Sequence, residues 1–310
     1  MLMTVLITGA TGLVGTAIVA ECHRNNIAVN YLTTSKNKIV SRANYKGFYW
    51  NPDTSEIDLK CFKDVSAIIN LAGASISKRW TDANKESILS SRINSLKTLH
   101  AGLKKIDSSV IKSFVAASAI GVYPDSLSKF YEEDEQVKIE GFLSEVVNTW
   151  ENEINKFDEF NFNVAKIRIG LVLSNMGGAL PEMVKPIKLY VGAPFGSGKQ
   201  WQSWIHINDL ARMFLFIVDN ELNGVFNGVA PNPVTNEKLT KKVAAILGTS
   251  ILLPNIPASV LKLLLGEMSI LLLSSQRVSH KKIAEEGFVF DYQNICNALA
   301  SFYGKKETSL

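Results

Sequence analysis

The chain has 310 residues, 46% hydrophobic and 20% charged, the balance of an ordinary folded protein, which excludes long disorder. Its 33 Lys+Arg against 29 Asp+Glu leave a formal charge of +4, too small and too dispersed to point to nucleic acid as a partner. Cys22, Cys61 and Cys296 are widely separated, so neither a disulfide framework nor a metal site is expected, and a cytoplasmic setting fits. No membrane segment is expected either. Residues 1–20 are apolar but are interrupted by Gly9, Gly12 and Gly15, and residues 260–273 carry Lys262 and Glu267.

In chain order, residues 3–7 form an apolar strand run that ends at a glycine loop, and residues 12–24 have helical spacing. Residues 28–32 and 47–50 follow as strands. Residues 66–72 (SAIINLA) have a buried-strand pattern, leading into a long helix from 81 to 105. A strand at 113–117, a helix at 142–156 and a strand at 163–169 continue the rhythm. Strands alternating with helices of this length imply right-handed crossovers and a parallel sheet. The expected fold is α/β, a Rossmann doubly wound parallel sheet of about seven strands.

After Gly170 the pattern changes. Glycine and proline are frequent between 177 and 198, short strands are expected at 203–207 and 225–229, and the chain is mainly helical from 235. The expected division is a dinucleotide-binding domain of residues 1–170 and 201–230, with a smaller, mainly helical C-terminal substrate lobe of residues 171–200 and 231–304. Residues 305–310 read as a tail. The crevice between two such lobes is the default ligand site.

The strongest local signal is Gly9-Ala10-Thr11-Gly12-Leu13-Val14-Gly15, after a strand and opening a helix. Gly9 permits a tight turn, Gly12 lets backbone approach a pyrophosphate, and Gly15 lets the helix pack close to the sheet. The free N–H groups at the helix start suit an anion, with Thr11, Leu13 and Val14 completing the lining. A ligand-free strand-to-helix turn is the plainer alternative. Cofactor choice turns on the end of the second strand, where an acid would bind ribose hydroxyls and repel a 2′-phosphate. Residues 31–38 (YLTTSKNK) hold no acid there. Thr33, Thr34, Ser35 and Lys36 offer hydroxyls and a cation that suit a phosphate, so NADP (NADPH) is favoured over NAD.

GATGLVG, then Asn70-Leu71-Ala72-Gly73, then residues 117–123 (ASAIGVY) together resemble the extended short-chain dehydrogenase/reductases. Arg79-Trp80-Thr81, Ser91-Arg92-Ile93, Trp150-Glu151, Ser203-Trp204-Ile205-His206 and the tail motifs around Gln276-Arg277 and Phe288/Phe290 narrow the match. The whole chain is similar to the atypical NADP-binding "epimerase family" with its own C-terminal domain. The resemblance implies that Asn70, Leu71, Ala72 and Gly73 line the cofactor groove. It also implies an arginine where this chain has Thr34.

That superfamily catalyses with a Tyr-x-x-x-Lys pair on the helix after the fifth strand. The lysine and the cofactor lower the tyrosine pKa, so that it can exchange a proton. Here Phe142 and Val146 fall at those positions, and neither carries a proton. The companion Ser/Thr position is Ala119, with Ser118 one residue away. Ser118 and Tyr123 are the substitute catalytic candidates, followed by Glu145 and His206, for which a solvated and a structural role are the plainer readings. Asp209 or Asn208 reads as a helix cap. Arg79 and Arg92 can bind an anionic group, and Trp80 and Trp204 can wall a ligand ring or pack the core. The expected function is an NADP(H)-binding epimerase- or oxidoreductase-like protein acting on a small molecule, anionic or a nucleotide sugar. The alternative is a non-catalytic NADP(H)-sensing protein. A homodimer is compatible with the sequence, which does not fix the oligomeric state.

Overall fold

Apolar runs of the N-terminal half pair side by side because each carries too much buried surface to stand at a solvent face. A computed structural model describes residues 3–136 and 138–304; the expected tail at 305–310 lies outside them. The chain divides into two units. The first comprises Met1–Val122, Lys138–Arg168 and Leu210–Phe226, the second Tyr123–Val137, Ile169–Asp209 and Asn227–Leu310.

The first unit is built on a nine-stranded sheet. Its strands are β1 (Thr4–Thr8), β2 (Ala28–Thr33), β3 (Ser41–Arg42), β4 (Tyr45–Asn51), β5 (Glu56–Ile57), β6 (Ala67–Asn70), β7 (Ser113–Ala119), β8 (Asn163–Ile169) and β9 (Gly224–Gly228). They lie in the order β9-β8-β7-β6-β1-β2-β4-β3, with β5 paired to β4. The pairs β1–β2, β1–β6, β2–β4 and β6–β7 are parallel, and the two-residue strands β3 and β5 run antiparallel to β4. Those two raise the count above the expected seven, since two residues are too few to show a period. The chain leaves β1 toward β2 and β4, then returns to the other side of β1 as β6. The order therefore reverses at β1, which makes the carboxyl ends of β1 and β6 the topological switch point.

Among the described residues this unit holds α1 (Leu13–Arg24), α2 (Asp82–Leu103), α3 (Gly141–Asn155) and, from Leu210 on, helix Ile207–Asp219. Thr81 caps α2 by accepting the Asn84 N–H at 3.3 Å. The buried stripe of α3 runs Ser144, Val147, Glu151, Ile154, so an acid sits on an otherwise core-facing row.

The second unit pairs short strands. Leu171–Leu173 runs parallel to Trp204–His206, Trp201–Gln202 antiparallel to Val234–Thr235, and Arg277–Val278 parallel to Phe130–Tyr131. Helices Ala179–Lys188, Asn236–Ile246 and Ile295–Tyr303 surround Trp204, which has 0% exposure. These pairings carry 123–137 and 201–209 into the second unit, where the sequence places both with the first. Of the expected returning segment 201–230, only 210–226 joins the first unit. Among the described residues no helix is long and apolar enough to cross a membrane.

Gly15 fixes how α1 meets the sheet. A Cβ there would lie 2.2 Å from the Gly9 carbonyl oxygen and 2.7 Å from the Ala10 Cα, both backbone atoms that cannot step aside. Gly15→Ala should therefore lower stability by about 2 kcal/mol despite the better helix propensity of alanine, because overpacking outweighs it. Urea unfolding of the two chains side by side checks this, the expected change being in midpoint rather than slope.

Candidate functional site

At the switch point one hydroxyl organises two strand ends. Thr8 and Asn70 are register partners, and Thr8 Oγ1 donates to Asn70 Oδ1 at 2.6 Å. The same oxygen accepts the N–H groups of Leu71 (3.0 Å) and Ala72 (3.1 Å), so the Asn70–Gly73 turn is tied to the end of β1. Beside it Gly9 adopts φ +69°, and an added Cβ would press on the Leu71 backbone at 3.1 Å. The two turns touch through backbone alone, which is why glycine is needed at position 9.

Gly12 is exposed and stands at the start of α1 with no side-chain cap bond. The first-turn N–H groups of a helix have no acceptor within it, and here no side chain supplies one. Gly12 N donates to Gly9 O at 3.0 Å, closing the turn. Thr11 is exposed, while Leu13 and Val14 are half-buried. Asn70 Nδ2 is buried with no acceptor. A negatively charged group lying over this glycine turn would meet free donors and a favourable helix dipole.

The end of β2 is shaped from below. Tyr31 is fully buried; its hydroxyl donates to Lys38 O (2.6 Å) and accepts the Val40 N–H (2.9 Å). A Cβ on Gly47 would fall 2.5 Å from that hydroxyl, so glycine on β4 makes room for the bracket. Thr33 is buried and accepts the Ser35 N–H at 3.2 Å, whereas Thr34 and Lys36 are exposed, with Lys36 Nζ 4.9 Å from the centre of the Tyr49 ring.

Below the end of β7, Ser118 Oγ donates to Glu151 Oε1 at 2.6 Å, and Arg168 grips both Glu151 oxygens at 2.9 Å. Burial opposes the Glu151 charge, but the Arg168 bonds and charge with the Ser118 bond outweigh it, holding the carboxyl below its usual range. Sequence reading missed Glu151 and Arg168 as a pair. The acid on the apolar stripe of α3 was the available signal.

The remaining candidates are placed as follows. Phe142 is half-buried in the first turn of α3, edge-on to Trp80 at 4.9 Å, with Lys85 Nζ 5.4 Å from its ring centre; Val146 is buried and Glu145 exposed. Arg79 is exposed, and Arg92 is seated over Gly73. In the second unit Tyr123 is buried, its hydroxyl donating to Asn227 Oδ1 at 2.8 Å and its ring stacked on Tyr131. Trp204, for which a ligand wall and core packing were both open, lies inside the core with its indole N–H bonded to Asn232 O at 2.9 Å, so the ligand-wall role falls away. Asp209 lies within helix Ile207–Asp219 rather than capping it, and accepts the N–H groups of Asp291 and Tyr292. Cys22 and Cys61 are buried, with both thiols pushed up, so neither is poised as a nucleophile. Among the described residues no group of His, Cys, Asp and Glu could hold a metal ion.

Residues 5–228 match the model of the NAD dependent epimerase/dehydratase family. The chain belongs to that family. A second model, a domain of unknown function (DUF1731), matches residues 256–302. An epimerase family protein of Staphylococcus aureus strain MRSA252 is 36% identical over 308 residues, 97% of this chain and 99% of the relative. One from Staphylococcus epidermidis strain RP62A is 37% identical over 302 residues, 95% of this chain and 97% of its own length. The crystal structure of human epimerase family protein SDR39U1 with NADPH has a TM-score of 0.87 at 28% identity, covering 98% of this chain and 100% of that one. A nucleoside-diphosphate sugar epimerase from Corynebacterium glutamicum gives a TM-score of 0.77 at 29% identity, over 98% of this chain and 59% of that one.

His206 is a brace rather than an acid. It is sandwiched between Tyr292 (3.7 Å) and Phe302 (4.5 Å); Nδ1 accepts the Asn208 N–H, so Nε2 carries the proton toward Ser301 Oγ. Burial pushes its pKa down from 6.5 to about 4. Between those values the unfolded chain binds the proton and the folded chain does not, so stability falls as pH drops through the window. His206→Asn should show a shallower loss of melting temperature between pH 6.5 and 4 than wild type, as read by thermal unfolding at stepped pH.

Proposed function

We propose that this epimerase-family chain binds NADP(H) and is an oxidoreductase or epimerase acting on a small molecule. The glycine turn at the switch point carries this reading. There Thr11 and Gly12 are exposed, no side chain caps the first-turn N–H groups of α1, and Asn70 Nδ2 has no acceptor. The residues fit the group: Gly9, Thr11, Gly12, Leu13, Val14 and Gly15 would hold a pyrophosphate, and Asn70, Leu71, Ala72 and Gly73 would line the groove beside it. Thr33, Thr34, Ser35 and Lys36 would receive a 2′-phosphate, and the lack of an acid at the end of β2 favours NADPH over NADH. The NADPH in the human relative supports the same preference. When bound, a nicotinamide cofactor supplies or takes a hydride.

Gly12→Asp places a side chain and a negative charge where the pyrophosphate would lie. Calorimetric titration of the folded variant should show NADPH affinity falling at least about a hundredfold, ~2.7 kcal/mol. In the same experiment wild type should bind NADPH about tenfold more tightly than NADH, ~1.4 kcal/mol. An unchanged affinity in Gly12→Asp would remove the basis of the proposal.

Proton transfer is the weak point of the site. Phe142 and Val146 stand where the superfamily has its Tyr and Lys, and the two substitutes are engaged, Ser118 with Glu151 and Tyr123 with Asn227. A positioned general acid contributes about 10²–10⁴ in rate, so carbonyl reduction by the wild-type chain should be slow by that margin. A turnover screen with NADPH against ketones, quinones and nucleotide sugars, repeated on Ser118→Ala and Tyr123→Phe, checks this. Rapid turnover surviving both substitutions would mean that another donor serves the site. Tight NADPH binding with no turnover on any substrate would favour the second reading, an NADP(H)-sensing protein, which the loss of the Tyr-Lys pair also supports.

A further inference from the structure

Of two arginines beside the sheet of the first unit, Arg168 is buried and Arg92 half-buried, and their surroundings differ. Arg168 is gripped by both oxygens of Glu151. Arg92, on α2, takes part in no ion pair among the described residues. Its guanidinium lies 4.9 Å from the centre of the Trp150 ring on α3, and Nη1 donates to the carbonyls of Ile88 (2.7 Å) and Ala74 (3.2 Å). Nε is sealed from solvent without an acceptor. The seat is built for it: a Cβ on Gly73 would come within 3.1–3.2 Å of the guanidinium and its stem. Gly73 is itself exposed and ends the turn that Thr8 ties to β1.

A half-buried cation without a counter-charge is costly, because carbonyl dipoles and an aromatic face return only part of its hydration. Burial pushes its pKa down to about 10, so it stays charged at neutral pH. Trp150 beside it shares the deficit, its Nε1 being a buried donor without an acceptor, and so does Asn70 Nδ2 at the end of β6. All three unmet groups are donors, so the chemistry that completes them is an acceptor, and beside a cation that means an anion. The backbone donors at the start of α1 already suit a pyrophosphate, whereas Arg92 stands past the end of β6, over Gly73 and Ala74. The geometry points to Arg92 as the binding residue for an oxyanion, a carboxylate or phosphate, carried by the small-molecule substrate. The assignment to substrate rests on the reading that a nicotinamide cofactor occupies the glycine turn.

The test uses the full chain as wild type, Arg92→Met, which keeps an apolar stem against Trp150, and Arg92→Lys. Malonate and inorganic phosphate serve as probes, each titrated by calorimetry with and without saturating NADPH, alongside NADPH affinity and melting temperature. Wild type should bind a probe saturably in the presence of NADPH. Arg92→Met should weaken that binding at least about tenfold, with Arg92→Lys in between, and should leave NADPH affinity unchanged. Its melting temperature should hold or rise, since an unpaired buried charge has been removed. A melting temperature lower by several degrees would make Arg92 a structural brace and overturn the proposal. So would loss of NADPH affinity in Arg92→Met, which would assign the charge to the cofactor's own phosphates, and so would the absence of probe binding in wild type. If wild type binds the probes through Arg92 but never binds NADPH, the cofactor reading fails while the oxyanion site stands.

Discussion

The Thr8 hydroxyl is the joint on which the candidate site turns. It spends its proton on Asn70 and its lone pairs on two backbone N–H groups, so the ends of β1 and β6 cannot separate without breaking three bonds at once. In a buried setting such a network is worth more than its members taken singly. It holds the Asn70–Gly73 turn against the Gly9 turn, and the close seat of α1 at Gly15 presents the helix start to the same place. The fixed backbone, rather than reactive side chains, defines the site.

Backbone-defined features were the ones legible in the sequence. The spacing of Gly9, Gly12 and Gly15 and the apolar runs of β1, β6 and β7 announce a strand, a tight turn and a helix with a parallel sheet, because glycine and uninterrupted burial leave few alternatives. The expected strand at 163–169 coincides with β8. Strands β3 and β5 escaped because two residues carry no periodicity, and the bounds of the second unit shifted because Trp201–Gln202 and Phe130–Tyr131 pair with distant segments that local pattern does not encode. Side-chain roles were the least legible. For Trp204 and His206 core packing and a structural role were the plainer readings from sequence, and burial and partners bear them out.

The buried charges of the first unit separate structure from function by one criterion, whether the protein completes them itself. Glu151 is completed, by Arg168 on β8 and Ser118 on β7, and locks α3 to two strands. That leaves the Ser118 hydroxyl committed to holding the helix. Arg92 is not completed, and the protein carries that cost at the rim of the turn Thr8 holds in place.

The Tyr31 bracket has a consequence of a different kind. Because its hydroxyl holds the backbone at Lys38 and Val40 from inside the core, the course of this loop does not depend on what its exposed positions carry. Thr34, Lys36 and Asn37 are then exchangeable tiles on a rigid frame. On the proposed cofactor reading, single substitutions at these surface positions would alter coenzyme preference without repacking the sheet beneath. The tyrosine and Gly47, packed beneath that surface, are the pair that cannot change alone.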